Sequence, residues 1–218
     1  MFIKKVIFFL SLIVFFSCSK KENTTFKELK SDKLLSESFT DSELKDLAKI
    51  VDFFEGQICT DKNKNSLEKC YDKFLEIDSI RYVDKHEMYV FDYENQKQLY
   101  SELSPDFFNE FWNVGTGTQY PDSENEVKYK FFNLKVFNEK GLSKYGKFVK
   151  NFSKENKFIK KYFKGIEVSA EFLTPSTPIM LTYYYRRFNK NDIKIRVIYA
   201  FHYLNVNELY MKPLLNKK

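Results

Sequence analysis

Between Asp41 and Ile58 the apolar residues Leu44, Leu47, Ala48, Val51, Phe54 and Ile58 recur at steps of three and four, with one adjacent pair. That spacing keeps them on one face of a helix and scatters them over both faces of a strand. A stripe of this width has to be buried against other elements, so the chain is committed to packing helices on one another. Leu67, Cys70, Tyr71 and Phe74 repeat the pattern after Asn65-Ser66, and the polar run Thr60 to Asn65 between the two reads as a turn. Glu94 to Leu103 is a further helical candidate. Ser104-Pro105-Asp106 starts another, with proline at its first helical position, and its Phe107, Phe108, Phe111 and Trp112 read as core rather than as a sugar-stacking platform.

From Gly141 to Glu167 the lysines 147, 150, 154, 157, 161 and 164 recur at steps of three and four. Opposite them run Tyr145, Val149, Phe152, Ile159, Phe163 and Ile166. The segment is one basic amphipathic helix or two consecutive ones. Lys147, Lys150, Lys154, Lys157, Lys161 and Lys164 are the candidate interaction face, toward anionic headgroups, acidic glycan or an acidic protein, set against a plain solvated face. Thr174 to Pro178 breaks the pattern, with Thr177 placed to cap a short helix through Tyr183, Tyr184 and Tyr185; a strand is the competing reading. Ile193, Ile195, Val197, Tyr199 and Phe201 alternate with charged residues at first and read as a strand, for which Val127, Tyr129 and Phe131 offer a partner. Gly115 to Glu124 reads as an irregular surface loop, its glycines too few for a phosphate loop. The expected fold is mainly α, a single helical domain over residues 41–218 with a minor two-stranded β-sheet.

The N-terminus carries Lys4 and Lys5, then an apolar run from Val6 to Phe16 of 11 residues broken only by Ser11. A bilayer-spanning helix needs about 20 apolar residues, so residues 1–17 read as an export signal. Phe15-Phe16-Ser17-Cys18 closes the run with a small residue directly before cysteine, and Ser19-Lys20-Lys21-Glu22-Asn23 follows. This arrangement resembles the lipobox of bacterial lipoproteins, with Phe15 where leucine is usual. The resemblance implies that Cys18 becomes the lipidated first residue of the mature protein, in the cell envelope and at the outer membrane, with palmitate among its acyl chains. Residues 18–40, rich in Lys, Glu, Ser and Thr, then read as a flexible tether holding the domain some ~25 Å from the membrane.

An exported chain permits disulfides, and Cys59 and Cys70, at the facing ends of two helical patterns, are expected to bridge; their spacing fits neither a redox dithiol nor a zinc knuckle. Of the 36 basic residues only four are arginine, and alanine occurs three times. Lys, Asn, Phe, Tyr and Ile are products of AT-rich codons, so neither aromatic content nor basicity is by itself a ligand signature. Removing Lys4 and Lys5 lowers the formal charge from +6 to +4, a mild excess that points away from nucleic acid. Composition and lipobox together are similar to lipoproteins of the Bacteroidota, as is Asp78-Ser79-Ile80, which resembles their three-residue O-glycosylation signal.

The two histidines, His86 and His202, sit outside any metal-ligand or nucleophile motif, and no cofactor motif is present. His202, inside Ala200-Phe-His-Tyr-Leu204, reads as a hydrogen-bonded core histidine; His86 reads as near the surface. Catalysis is not the expectation, although carboxylates from distant segments can assemble into a pair that spacing does not reveal. The expected role is a non-catalytic module that docks an envelope or exported protein, in the manner of an immunity or inhibitor lipoprotein. A receptor for a small molecule or glycan is the alternative. A deep cleft lined by Trp112 and the tyrosines at 183–185 favours the receptor, and a Lys-rimmed aromatic patch favours a protein or membrane surface.

Overall fold

The computed structural model describes residues 23–59, 66–85, 91–119, 126–168 and 178–215. In chain order the elements are α1 (Thr24–Ser31), α2 (Lys33–Ser38), α3 (Asp41–Ile58), α4 (Leu67–Lys85), α5 (Tyr93–Glu102), α6 (Pro105–Phe111), β1 (Trp112–Gln119), β2 (Val127–Leu134), β3 (Phe137–Asn138), β4 (Gly141–Leu142), α7 (Lys144–Phe152), α8 (Lys157–Val168), α9 (Pro178–Tyr183), a 3-10 turn (Tyr185–Arg187) and α10 (Ile193–Leu215). The fold is mainly α, with two small two-stranded antiparallel sheets, β1–β2 and β3–β4.

Helix α10 is the axis. Residues 195–208 are all buried, and the helix packs against α1, α3, α5 and β2. This overturns the strand expected at Ile193–Phe201. The alternation there arises because Lys194 and Arg196 are sunk beside their neighbours and answered by carboxylates: Lys194 lies 2.9 Å from Asp32 and Arg196 2.6 Å from Glu55. A helix buried on every side needs no polar face, and that burial overrides the β preference of Ile193, Ile195, Val197 and Ile198. No described helix is long and apolar enough to cross a membrane.

Aromatic rings fill the space around α10. Phe54 of α3 meets Tyr71, Phe74, Phe91 and Tyr203 at centroid distances of 5.5–5.7 Å. Phe201 stacks on Phe111 at 5.4 Å and contacts Trp112 at 5.5 Å and Tyr145 at 4.9 Å. Each such ring contributes roughly 1.5–3 kcal/mol by leaving water. The Ser104 side chain accepts from the Phe107 backbone N–H and starts α6, which places Phe107, Phe111 and Trp112 in this core as the sequence leads one to expect.

The strand partner of β2 is β1, in the register Trp112↔Leu134 to Gln119↔Val127. Gly115–Gln119 is therefore paired strand and not loop, and the physical reason lies across the ribbon: Phe131 and Tyr129 occupy the space that side chains at Gly115 and Gly117 would take. The far edge of β2 is held by α10. Leu134 N–H donates to Asn205 Oδ1 at 2.6 Å and Phe132 N–H to Glu208 Oε1 at 3.0 Å, so helix side chains stand where a third strand would supply acceptors.

The expected tether is also corrected. Residues 24–38 form α1 and α2, packed on α3. Of the apolar residues in and just after them, Phe26, Leu29, Leu35 and Phe39 are buried and Leu34 is half-buried against the core, and Asn23 and Asp32 cap the two helices through Phe26 N–H and Leu35 N–H. A composition average hides this pattern. Residues 18–22 lie outside the described residues, as do Cys18, His86, Thr177 and the Thr60–Asn65 turn.

Cys59 and Cys70 form a disulfide with a Cα separation of 5.1 Å, stapling α3 to α4. Replacing both with serine is expected to lower stability by about 3 kcal/mol. Urea unfolding of the variant, compared with the oxidised protein at the same pH, checks it, and the same loss should appear when the parent is reduced.

Candidate interaction face

The basic segment folds as two helices. Asn156 marks the join: its Oδ1 accepts from the N–H groups of Phe158 and Ile159 and starts α8. Tyr145, Phe148, Val149 and Phe152 of α7 and Ile159, Tyr162, Phe163 and Ile166 of α8 are buried. Lys147, Lys150, Lys154, Lys157, Lys161 and Lys164 are all exposed. Other lysines pair with carboxylates, Lys30 with Asp41, Lys97 with Glu94 and Lys144 with Glu43. Among the described residues none of the six has a carboxylate within ion-pair distance. Lys154 donates instead to Asn151 at 2.9 Å. Lys157 lies 5.2 Å over the Phe158 ring and Lys161 4.7 Å over Tyr184.

Tyr184 is where this stripe meets a second feature. Among the described residues the exposed large apolar side chains are Ile77, Ile80, Val114, Val168 and Tyr183. All but Val114 belong to α4, α8 and α9, and α9 packs on both of the others. Tyr183 is 73 % exposed and its ring stands perpendicular to Tyr184 at 5.0 Å. Beside it a groove of ≈430 Å³ is lined by Glu76, Ser79, Ile80, Thr182, Tyr183 and Arg186, among others. Lys161, Tyr184, Tyr183, Ile80 and Arg186 thus adjoin one another along this groove.

The surface is held from behind by polar bonds. Asp78 is buried, and its Oδ2 accepts from Tyr203 Oη at 2.6 Å and from Thr182 Oγ1 at 3.4 Å, fixing α9 to α4 and α10. Burial and the adjacent Asp78 carboxylate raise the Tyr203 phenol well above its ordinary range, so it stays a donor. Lys190, with 5 % of its side chain exposed, lies 2.7 Å from Asp72 and 5.6 Å over Tyr185. In the Asp78-Ser79-Ile80 triplet, only Ser79 and Ile80 reach solvent, and the Ser79 hydroxyl donates to the Glu76 carbonyl of its own helix.

Trp112 is 4 % exposed, stacked on Phe108 at 5.2 Å, and is not among the described residues that line the groove beside Tyr183. His202 is fully buried, but neither ring nitrogen has a hydrogen-bond partner among the described residues, which corrects the expectation of a bonded core histidine. Two carboxylates from distant segments do meet, Glu28 and Glu55, and they share Arg196. Ile77 and Val168 belong to no sequence pattern, and Ile80 enters only through the Asp78-Ser79-Ile80 triplet; it lies on the side of α4 turned away from Tyr71 and Asp78, a misplaced apolar residue that helical spacing alone reveals. The chain matches no protein-family model, no curated protein and no solved structure.

Proposed function

We propose that this chain is a lipid-anchored, non-catalytic lipoprotein of the cell envelope that docks another protein, in the manner of an immunity or inhibitor lipoprotein, through the face formed by α4, α8 and α9. The observation that carries the reading is the exposed groove of Ile80, Tyr183 and Arg186, joined through Tyr184 to a lysine row that has no carboxylate within ion-pair distance among the described residues. Binding surfaces combine an apolar centre rich in tyrosine and arginine with a charged rim. The complementary partner carries an apolar projection ringed by Asp and Glu. The lipid on Cys18 anchors the protein at the outer membrane. Six Cα–Cα steps separate Cys18 from Thr24, so an extended chain holds the body within about 20 Å of its anchor, and the partner is met near the membrane.

The test is retention of envelope and secreted proteins on the immobilised protein at low and high salt. The expected result is one retained protein whose affinity falls at least ~10-fold when Lys154, Lys157 and Lys161 are all changed to Glu. Tyr183→Ser is expected to cost about 1–2 kcal/mol of binding at either salt. Retention of lipid or glycan with no protein would overturn the reading.

A further inference from the structure

The β1–β2 ribbon carries a second surface, on different elements from the docking face. Side chains alternate across a strand, so the pairs Asn113↔Asn133, Gly115↔Phe131 and Gly117↔Tyr129 share one face of the ribbon. No residue in that set is charged; Lys128 and Lys130 belong to the other face.

The glycines decide how the rings lie. A Cβ built on Gly115 would stand 2.5, 2.7 and 3.0 Å from the three distal ring carbons of Phe131. Near-equal distances place that point over the ring face, since an edge-on ring would bring its tip much closer than its flanks. The Tyr129 ring covers Gly117 in the same manner. Each ring therefore spends one face on glycine backbone, which shields the ribbon, and turns the other outward. Both residues are half-exposed, with centroids 6.1 Å apart.

At the base of this strip lies a cavity of ≈160 Å³ lined by Asn113, Gly115, Asn133, Val136 and Phe137, among others. It adjoins a groove of ≈660 Å³ through the shared Asn113, Lys135 and Phe137. Asn133 is 8 % exposed, and its Oδ1 has no hydrogen-bond partner among the described residues. A buried amide oxygen without a partner is costly and needs a reason. A ligand hydroxyl donated to it supplies one.

Outward aromatic faces offer apolar stacking, and side-chain amides that both donate and accept suit hydroxyl groups. Between the Asn113 and Gly117 pairs the strip runs roughly 14 Å, a length that several linked sugar rings would cover. We infer that this face of the ribbon is a binding strip for a neutral oligosaccharide, stacked on Phe131 and Tyr129 and hydrogen-bonded by Asn133 and Asn113. The inference does not rest on the protein-docking face.

The test is saturation-transfer NMR on the full-length protein in a non-glycosidic detergent, with cellotetraose, maltotetraose, β-1,4-mannotetraose and chitotetraose as probes. At least one should receive saturation on its ring C–H protons, with binding weakened 10-fold or more by Tyr129→Ala. Gly115→Ala, which keeps both rings but displaces Phe131, should weaken it too, and Lys130→Ala on the opposite face should leave it unchanged. Saturation of none of the four, or saturation that survives both Tyr129→Ala and Gly115→Ala, overturns the inference.

Discussion

Changing Arg196 to Met is expected to lower folding stability by about 3–5 kcal/mol, the loss typical of breaking a buried ion pair from one side. The guanidinium has 5 % of its side chain exposed and ties three helices together. Its Nε and one terminal nitrogen donate to the two Glu55 oxygens at 2.6 and 3.0 Å, and the other terminal nitrogen pairs with Glu28. The Tyr71 hydroxyl donates to the same Glu55 at 3.1 Å. Burial lowers the guanidinium pKa, but the bond and charge of Glu55 outweigh it and the net shift is upward. Removing the cation leaves Glu55 sunk without its partner. Adding Glu55→Met should therefore recover much of the loss, and a urea-denaturation double-mutant cycle reads this directly. If the single variant loses less than ~1 kcal/mol, the cluster behaves as a solvated surface pair, contrary to its burial.

The second large effect is in acid. Burial holds the His202 imidazole at a pKa of about 3, below its ordinary 6.5. Between those values the unfolded chain takes up a proton that the native state refuses. Stability therefore falls as pH drops through 6.5, by about 1.4 kcal/mol per pH unit, until the native pKa is reached. From pH 7 to pH 5 this amounts to about 2 kcal/mol, above the range where carboxylates contribute. Glu43 and Asp46 add their share only lower down: for each, burial raises the pKa, but bonds from Lys144 and Thr40, or from Lys49 and Ser104, outweigh it and the shift is downward. His202→Phe fits among Tyr162 and Tyr203, whose rings stand perpendicular to it, and removes two unpartnered nitrogens. Urea unfolding at pH 7, 6 and 5 should show the steeper slope in the parent and not in the variant, which should match or exceed the parent at pH 7. Equal slopes would mean the buried histidine is protonated or bonded.

Helices with one apolar face were readable residue by residue: the stripe from Leu44 to Ile58, the proline start of α6 and the lysine row all sit where spacing puts them. Period fails where burial is complete. In α10 both faces are core, so the only visible contrast was charge, and Lys194 and Arg196 imitated strand alternation because their partners Asp32, Glu28 and Glu55 come from far along the chain. β1 failed for a related reason, since Gly115 and Gly117 weaken a strand until Phe131 and Tyr129 cover them from the partner. In α1 and α2 four buried apolar residues among many polar ones were lost in an average. The docking face was half legible. Its lysines followed a period, but Ile80 and Tyr183 come together only through the packing of α9 on α4, which no local pattern encodes.

The most direct measurement of the docking proposal is site-specific photo-crosslinking in the cells that make the protein, with a benzophenone side chain at position 183 of the full-length chain. The face predicts one discrete protein adduct, lost when Lys154, Lys157 and Lys161 are reversed to Glu and absent when the same group is placed at Thr116 on the ribbon. Adducts to lipid alone, or the same adduct from both positions, would contradict it.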